Sequence, residues 1–255
     1  TEQMEYTDRV APLAFIQQVE GKFQINDRAV QYLRSRKGRL QVVCVAGPYR
    51  TGKSFLMNRL LDRQQGFTVG GTINSCTKGI WLFGEGMGPV EGKEDFQDSE
   101  EDTTLFFDSE GLGSIEQSGT FDTQIFSLAL LLSSCFVLNT QGTINENTLE
   151  QLELVVECTK QIRASTSEVS DSSQNQATKQ SIQEQQQQLA DHFPSFVWVL
   201  RDFVLELVDP EGNPISAKQY LEQCLRPVVS DRKRVLEKNK IRTALATVFR
   251  DRDCV

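Results

Sequence analysis

Four residues in the segment VAGPYRTGKSF (45–55) stand at a spacing that serves phosphate: Gly47, Gly52, Lys53 and Ser54 satisfy G-x-x-x-x-G-K-[ST]. The glycines let successive backbone N–H groups turn inward around a β-phosphate, at the positive end of the helix that follows. Lys53 then reaches the β- and γ-phosphates, and the Ser54 hydroxyl ligates Mg2+. Tyr49, Arg50, Thr51 and Phe55 belong to the same loop and are read with it as nucleotide contacts. Such a loop does not by itself choose among kinase, ATPase and GTPase chemistry.

Three further stretches narrow the choice. In TTLFFDSEGLG (103–113) an apolar run ends in Asp108 and is followed by Gly111, a D-x-x-G arrangement. Asp108 can hold Mg2+ through water and the Gly111 amide can meet the γ-phosphate, so the segment can sense hydrolysis. Between this run and the phosphate loop lies GGTINSCTKGIW (70–81), where Thr77 can add a second hydroxyl to the metal when triphosphate is bound. Base choice calls for an acidic residue late in the sheet, because guanine offers N1–H and N2–H donors that one carboxylate accepts together. The N-K-x-D box of small GTPases is absent. FVWVLRDF (196–203) instead ends an apolar run with Arg201 and Asp202, which makes Asp202 the base reader and Arg201 the residue that covers the base.

The elements that must position these residues alternate along the chain. RLQVVCVAG (39–47) is a β-branched run ending in glycine, as for a strand buried on both faces. Residues 53–63 pair Leu56 with Leu60 and Met57 with Leu61 at helical spacing, so the phosphate loop lies between strand and helix. Downstream follow TTLFFD (strand), DTQIFSLALLL (helix), CFVLN (strand), ENTLEQLELVVECTKQIR (helix, with Leu149, Leu152, Val156 and Ile162 on one stripe), FVWVL (strand) and SAKQYLEQCL (helix). The alternation predicts a three-layer α/β P-loop domain, with a mostly parallel sheet flanked by helices. Residues 1–38 supply a packing segment ahead of the first core strand. Two segments hold little that could be buried, the acidic 85–103 and the serine- and glutamine-rich 165–191, and both are expected as mobile insertions in a single domain spanning 1–255.

The bulk numbers set outer limits. A chain of 255 residues with 38% hydrophobic residues can bury one sizeable core. A formal net charge of −8 excludes partners bound by a broad cationic surface, such as nucleic acid or an anionic bilayer. Six cysteines with no C-x-x-C pair, a lone His192, no N-x-[ST] sequon and no apolar leader point to a reduced, cytoplasmic protein. The longest apolar run, Ile125 to Leu138, falls short of the roughly 20 residues that a membrane span needs. Cys254 stands one residue before Val255, where a prenylation box needs three, so no lipid anchor is expected.

Taken together, GPYRTGKSFLMNRL, INSCTKGIW, DSEGLG, LLLSSCFVLNTQGTIN and FVWVLRDF resemble the GTPase domain of the guanylate-binding protein family, large GTPases of the dynamin superfamily. The resemblance extends from about residue 10 to the end of the sequence, and the R-D box combined with YRTGKS is its most specific part. It implies Mg2+-dependent hydrolysis of GTP, a nucleotide-dependent homodimer formed through the nucleotide face and, in several members, a further cleavage of GDP to GMP. It also implies individual roles. Arg50 corresponds to an internal arginine finger, Ser75 and Glu110 to the pair that organises the attacking water, Thr77 to the switch threonine, and Arg201 with Asp202 to the guanine reader. An arginine inside the phosphate loop would supply in cis the charge that other GTPases borrow from an activating partner.

The sequence departs from the family pattern at Pro48, where an aliphatic residue is more common, at Cys76, where a His is usual, and in the length of the acidic 85–103 segment. The family's cap over the guanine and its helical domain lie past the point where this sequence stops, and the expectation is a G domain cut from a longer protein. Two alternatives to rapid turnover remain at this level. One is a nucleotide-gated assembly module in which slow hydrolysis acts as a timer. The other is an atlastin-type membrane-fusion GTPase, whose transmembrane helices would follow residue 255.

Overall fold

The computed structural model describes residues 11–48, 50–62, 66–67, 79–87, 96–109, 119–150, 152 and 193–255. The chain groups into two compact units, Thr1–Asn139 and Thr140–Val255.

The first unit opens with an antiparallel hairpin of β1 (Leu13–Val19) and β2 (Lys22–Ile25). Its two turn residues, Glu20 and Gly21, both take positive φ (50° and 77°), the requirement of a two-residue turn that matches strand twist. Helix α1 (Asp27–Ser35) follows, its first turn capped by Asn26, whose side chain accepts from the Arg28 N–H at 2.9 Å. Then come β3 (Leu40–Ala46), α2 (Lys53–Leu60), β4 (Ile80–Gly84), β5 (Thr103–Ser109), α3 (Gly119–Leu132) and β6 (Cys135–Gln141), whose last two residues belong to the second unit. The strand order is β2-β1-β4-β5-β3-β6.

This order separates two kinds of sheet. β3 lies between β5 and β6 and is parallel to both, with Val45 opposite Asp108 on one side and opposite Val137 on the other. Val42, Cys44, Val45, Leu105, Phe107, Phe136 and Leu138 are buried here, as continuous apolar runs in a doubly covered sheet should be. The β2-β1-β4-β5 side is antiparallel, with a register shift between Ala14 and Ile16. The expected packing segment at the start of the chain is therefore an edge hairpin, hidden in the sequence because β2 is exposed at every residue.

The segment read as helical from its leucine and methionine spacing is helix α2, whose buried face is Lys53, Met57 and Asn58, while Leu60 is 50% exposed. The helix turns its polar Asn58 inward because that amide donates to the Phe67 carbonyl at 2.9 Å and accepts from the Phe67 N–H at 2.7 Å. The described ends of the acidic 85–103 segment are held against α1. The Tyr32 hydroxyl donates to the Glu85 carbonyl at 2.7 Å, Phe96 meets the Tyr32 ring edge-on, and Ser99 exchanges backbone hydrogen bonds with Ser35 and Lys37. Burial pushes the Tyr32 phenol up to about 12, so it stays a donor. Residues 88–95 of this segment, and the whole of 165–191, lie outside the described residues.

The second unit contains α4 (Glu146–Glu150), β7 (Ser195–Arg201), α5 (Ala217–Cys224), α6 (Lys233–Val248) and β8 (Arg252–Cys254), with β7 and β8 parallel. Trp198, Phe196, Leu221, Leu245 and Phe249 form its core, Phe249 stacking on Phe196 at 4.6 Å. Helix α5 begins in a reciprocal cap between Ser216 and Gln219. Leu149 and Leu152 are buried as their spacing requires, while Val156 and Ile162 lie outside the described residues. Two buried cations of α6, Lys238 and Arg242, pair with Glu150 and Glu146 of α4. Among the described residues no helix is long and apolar enough to cross a membrane.

Candidate functional site

In the first unit the carboxyl ends of three parallel strands carry Gly47 after β3, Asp108 near the end of β5 and Asn139 in β6. Ligands of α/β sheets bind at such strand ends. Gly47 is fixed by crowding: its φ is 145°, and a Cβ there would lie 2.1 Å from the Asn139 carbonyl oxygen. No larger residue fits between β3 and β6 at this level.

The loop that leaves Gly47 folds on its own backbone. The Pro48 carbonyl accepts from the Thr51 hydroxyl at 2.9 Å and from the Lys53 ammonium at 3.0 Å. Asn139 Nδ2 donates to the Thr51 carbonyl at 2.8 Å and so ties the loop to β6. Asn139 is fully buried, and its Oδ1 has no hydrogen-bond partner among the described residues, the kind of orphan acceptor that functional sites tolerate. Gly52, at φ 80°, is the N-cap of α2 and brings no side-chain cap. The first-turn amides of α2, which by helix geometry have no intrahelical acceptor, start where the loop ends and make a positive pole for an anion.

At this pole the Ser54 hydroxyl donates to Asp108 Oδ2 at 2.6 Å, with Asp108 1% and Lys53 7% exposed. A hydroxyl on a buried carboxylate, beside a lysine that is itself buried, is an oxygen donor set suited to a small hard divalent cation. Cys44, on the neighbouring strand, is no competitor for such an ion. Burial, with help from the Asp108 carboxylate, pushes its thiol far up and keeps it protonated. Arg50 is exposed at φ 63°, a left-handed conformation that costs a non-glycine residue about 1 kcal/mol or more. Phe55 stands on the exposed side of α2 with the Arg59 guanidinium 5.2 Å from its ring centre.

In the second unit, β7 ends at Arg201 and the chain turns at Asp202, whose φ of 55° is again left-handed. Consecutive residues of the β6 end hold this turn. The Gly142 N–H donates to the Arg201 carbonyl at 2.7 Å, and Gln141 Nε2 donates to Asp202 Oδ2 at 3.2 Å. One step deeper, the fully buried Trp198 donates its indole N–H to the Thr140 hydroxyl at 2.9 Å. An exposed carboxylate on a rigid turn can accept from a planar donor pair.

The structure thus brings Gly47, Thr51, Gly52, Lys53, Ser54 and Asp108 together in the first unit, with Arg50 on the same loop, and it places Arg201 and Asp202 side by side in the second. Tyr49, Ser75, Thr77, Glu110 and Gly111 lie outside the described residues. Asn139 and Gln141 escaped the sequence reading. Both close the apolar run CFVLNTQ with polar residues, the same sign that singled out Asp108 at the end of TTLFFD.

A family model described as the guanylate-binding protein N-terminal domain matches residues 20–255. The chain is 37% identical to guanylate-binding protein 4 of Homo sapiens over 246 residues, 96% of this chain and 35% of that protein. It is 38% identical to guanylate-binding protein 2 of Homo sapiens over 244 residues (95% and 38%), and 37% identical to guanylate-binding protein 3 of Mus musculus over 245 residues (96% and 36%). The chain therefore spans about a third of the length of the curated relatives it matches.

Proposed function

Because the chain belongs to the guanylate-binding protein family, we propose that it is the G domain of a large GTPase, which binds GTP with Mg2+ and hydrolyses it by in-line attack of water on the γ-phosphate. One observation carries this reading: the Ser54 hydroxyl lies 2.6 Å from a buried Asp108 carboxylate at the start of the phosphate-loop helix. Mg2+, when bound, would be held by Ser54 directly and by Asp108 through water, and would neutralise charge at the β- and γ-phosphate oxygens. Lys53 leaves the Pro48 carbonyl for the β- and γ-phosphates, a charged acceptor for a neutral one. The backbone amides of the loop and of the first turn of α2 bind the β-phosphate.

The remaining roles rest on the family pattern. Arg50 acts as the internal finger, and its left-handed backbone supports this, since strain held at an exposed loop residue is characteristic of sites where a side chain must be aimed. Tyr49 lies in the phosphate loop, Thr77 reaches the metal, Gly111 meets the γ-phosphate, and Ser75 with Glu110 orients the water. Asp202 accepts the N1–H and N2–H of guanine while Arg201 covers the base. The domain works in the cytoplasm, pairs with a second copy when GTP is bound, and cleaves GDP further to GMP.

Nucleotide chromatography after incubation with GTP, with and without Mg2+, tests the proposal. The expected result is GDP, followed by GMP, in the Mg2+ sample, with GTP intact in EDTA and ATP intact throughout. Persistence of GTP in the presence of Mg2+, at protein concentrations that allow pairing, would overturn the hydrolase reading. Accumulation of GDP without GMP would remove only the second cleavage.

A further inference from the structure

We propose that Gln141 is a positioning residue for base selection, which fixes the direction of the Asp202 carboxylate and thereby sets how strongly the domain prefers the 2-amino group of guanine. The proposal rests on the reading of Asp202 as the base reader. It rests too on an arrangement within the second unit that the R-D dipeptide itself does not encode. Gln141 Nε2 donates to Asp202 Oδ2 at 3.2 Å, and the next residue, Gly142, donates its N–H to the Arg201 carbonyl at 2.7 Å. Two consecutive residues at the end of β6 thus hold the two consecutive residues at which β7 ends and the chain turns. Gly142 and Asp202 both take positive φ (73° and 55°), so the chain turns sharply after each strand. Trp198 on Thr140 anchors the pair from the buried side.

The chemistry of the contact explains why a carboxamide suits the place. A carboxylate that reads N1–H and N2–H together must present both oxygens in the plane of the base, and free rotation about its last torsion would cost it that alignment. One N–H donor on Oδ2 restricts the torsion, yet leaves the remaining lone pairs of both oxygens for the base. A leucine would leave the carboxylate to rotate. A glutamate would set a second negative charge against it and drive it away.

The test compares binding of GTP, of ITP, which lacks the 2-amino group, and of XTP to this chain and to its Gln141→Leu, Gln141→Glu and Asp202→Asn variants, together with thermal melts. Gln141→Leu is expected to weaken GTP roughly three- to tenfold and to weaken ITP less, so that the GTP/ITP ratio narrows, with the melting temperature unchanged because Gln141 is exposed. Gln141→Glu is expected to narrow the ratio further. An unchanged ratio in Gln141→Leu overturns the inference, and so does an equal loss of both nucleotides, which would mark a merely structural turn. Asp202→Asn separates this from failure of the underlying reading. If it weakens GTP and admits XTP while Gln141→Leu is silent, Asp202 reads the base without Gln141; if it changes neither nucleotide, the base reader lies elsewhere and both proposals fall.

Discussion

The loop at Gly47–Ser54 and the turn at Arg201–Asp202 each hold a charged residue in left-handed backbone, Arg50 at φ 63° and Asp202 at 55°, and each presents it to solvent. What lies beneath them differs. Under Arg50 the groups are buried and largely backbone: a glycine that no Cβ can replace, the Pro48 and Thr51 carbonyls as acceptors, and Lys53, Asp108 and Asn139 at 7% exposure or less. Under Asp202 the contacts include an exposed carboxamide, that of Gln141, and a backbone hydrogen bond from Gly142 to Arg201. Phosphate is the same in every nucleotide, so its cradle can be made of main chain at a fixed spacing, and such a cradle shows up as a motif. A base is told apart by a few side-chain lone pairs, so a reader such as the one proposed at Asp202 marks the sequence only as a short charged pair closing an apolar run.

The comparison makes the phosphate loop the costlier place to cut. Lys53→Ala is expected to lower GTP affinity about 100-fold or more, because a charged partner is removed from phosphates whose own charge stays. The fold should survive, since the Pro48 carbonyl keeps the Thr51 hydroxyl as donor. Titration with a fluorescent GTP analogue, beside a melting curve, checks both halves. Retention of near-native affinity in a folded variant would end the reading of the loop as a phosphate cradle.

Arg50→Ala comes next and should fall on a different quantity. In phosphoryl transfer charge shifts among the γ-oxygens and the leaving bridge oxygen, so a guanidinium aimed there stabilises the transition state more than the bound substrate. Arginine fingers elsewhere contribute 10³ to 10⁵ in rate; on an exposed loop the expected loss in kcat is smaller, about 10²-fold, with Kd nearly unchanged. If a second G domain presses the loop into place, specific activity of the unaltered chain rises with its concentration, and that rise flattens in the variant. Single-turnover hydrolysis across protein concentrations decides. An unchanged rate with a raised Kd would make Arg50 a ground-state phosphate ligand and bring the two regions closer in character than proposed.

How much of this could be read beforehand follows the same division. The order β3, phosphate loop, α2 and the place of Asp108 near the end of β5 are local signals, apolar runs closed by a glycine or a carboxylate, and they are where the sequence places them. Periodicity marks α2 as a helix but does not give its buried face. The inward face contains Asn58, whose partner Phe67 is nine residues away and whose polarity hid its burial. The edge hairpin was missed because an exposed strand has no alternation to show. Asn139 and Gln141 were missed for a third reason: their partners, Thr51 and Asp202, lie 88 and 61 residues distant, and only strand register brings them together. The role proposed for Asp202 rests on the order of the motifs, not on its immediate surroundings.

The smallest effect expected separates selection at Asp202 from the general stability of the second unit. Arg252 fastens β8 to α5 through a two-toothed pair with Glu222, Nε to Oε1 at 2.7 Å and a terminal nitrogen to Oε2 at 2.8 Å, while its other terminal nitrogen donates to the Ala246 and Phe249 carbonyls. The hydrogen bonds from Arg252, more than its charge at a distance, hold the Glu222 carboxyl below the usual glutamate range. A carboxyl whose folded value is depressed lends stability that is fully present above the unfolded value and is lost as pH falls through the folded one. Glu222→Gln should therefore destabilise the domain at neutral pH by about 0.5–1 kcal/mol, the discount reflecting a carboxylate that water still reaches. In acid the melting curves of variant and parent should converge, because both then carry a neutral side chain. A gap that persists below the depressed value would mean that the glutamine disturbs packing, not that charge is lost. At neutral pH the GTP/ITP ratio of this variant should match the parent's. If it narrows as in Gln141→Leu, then loosening the second unit anywhere degrades selection, and the turn at Asp202 is no more private to base reading than the rest of its unit.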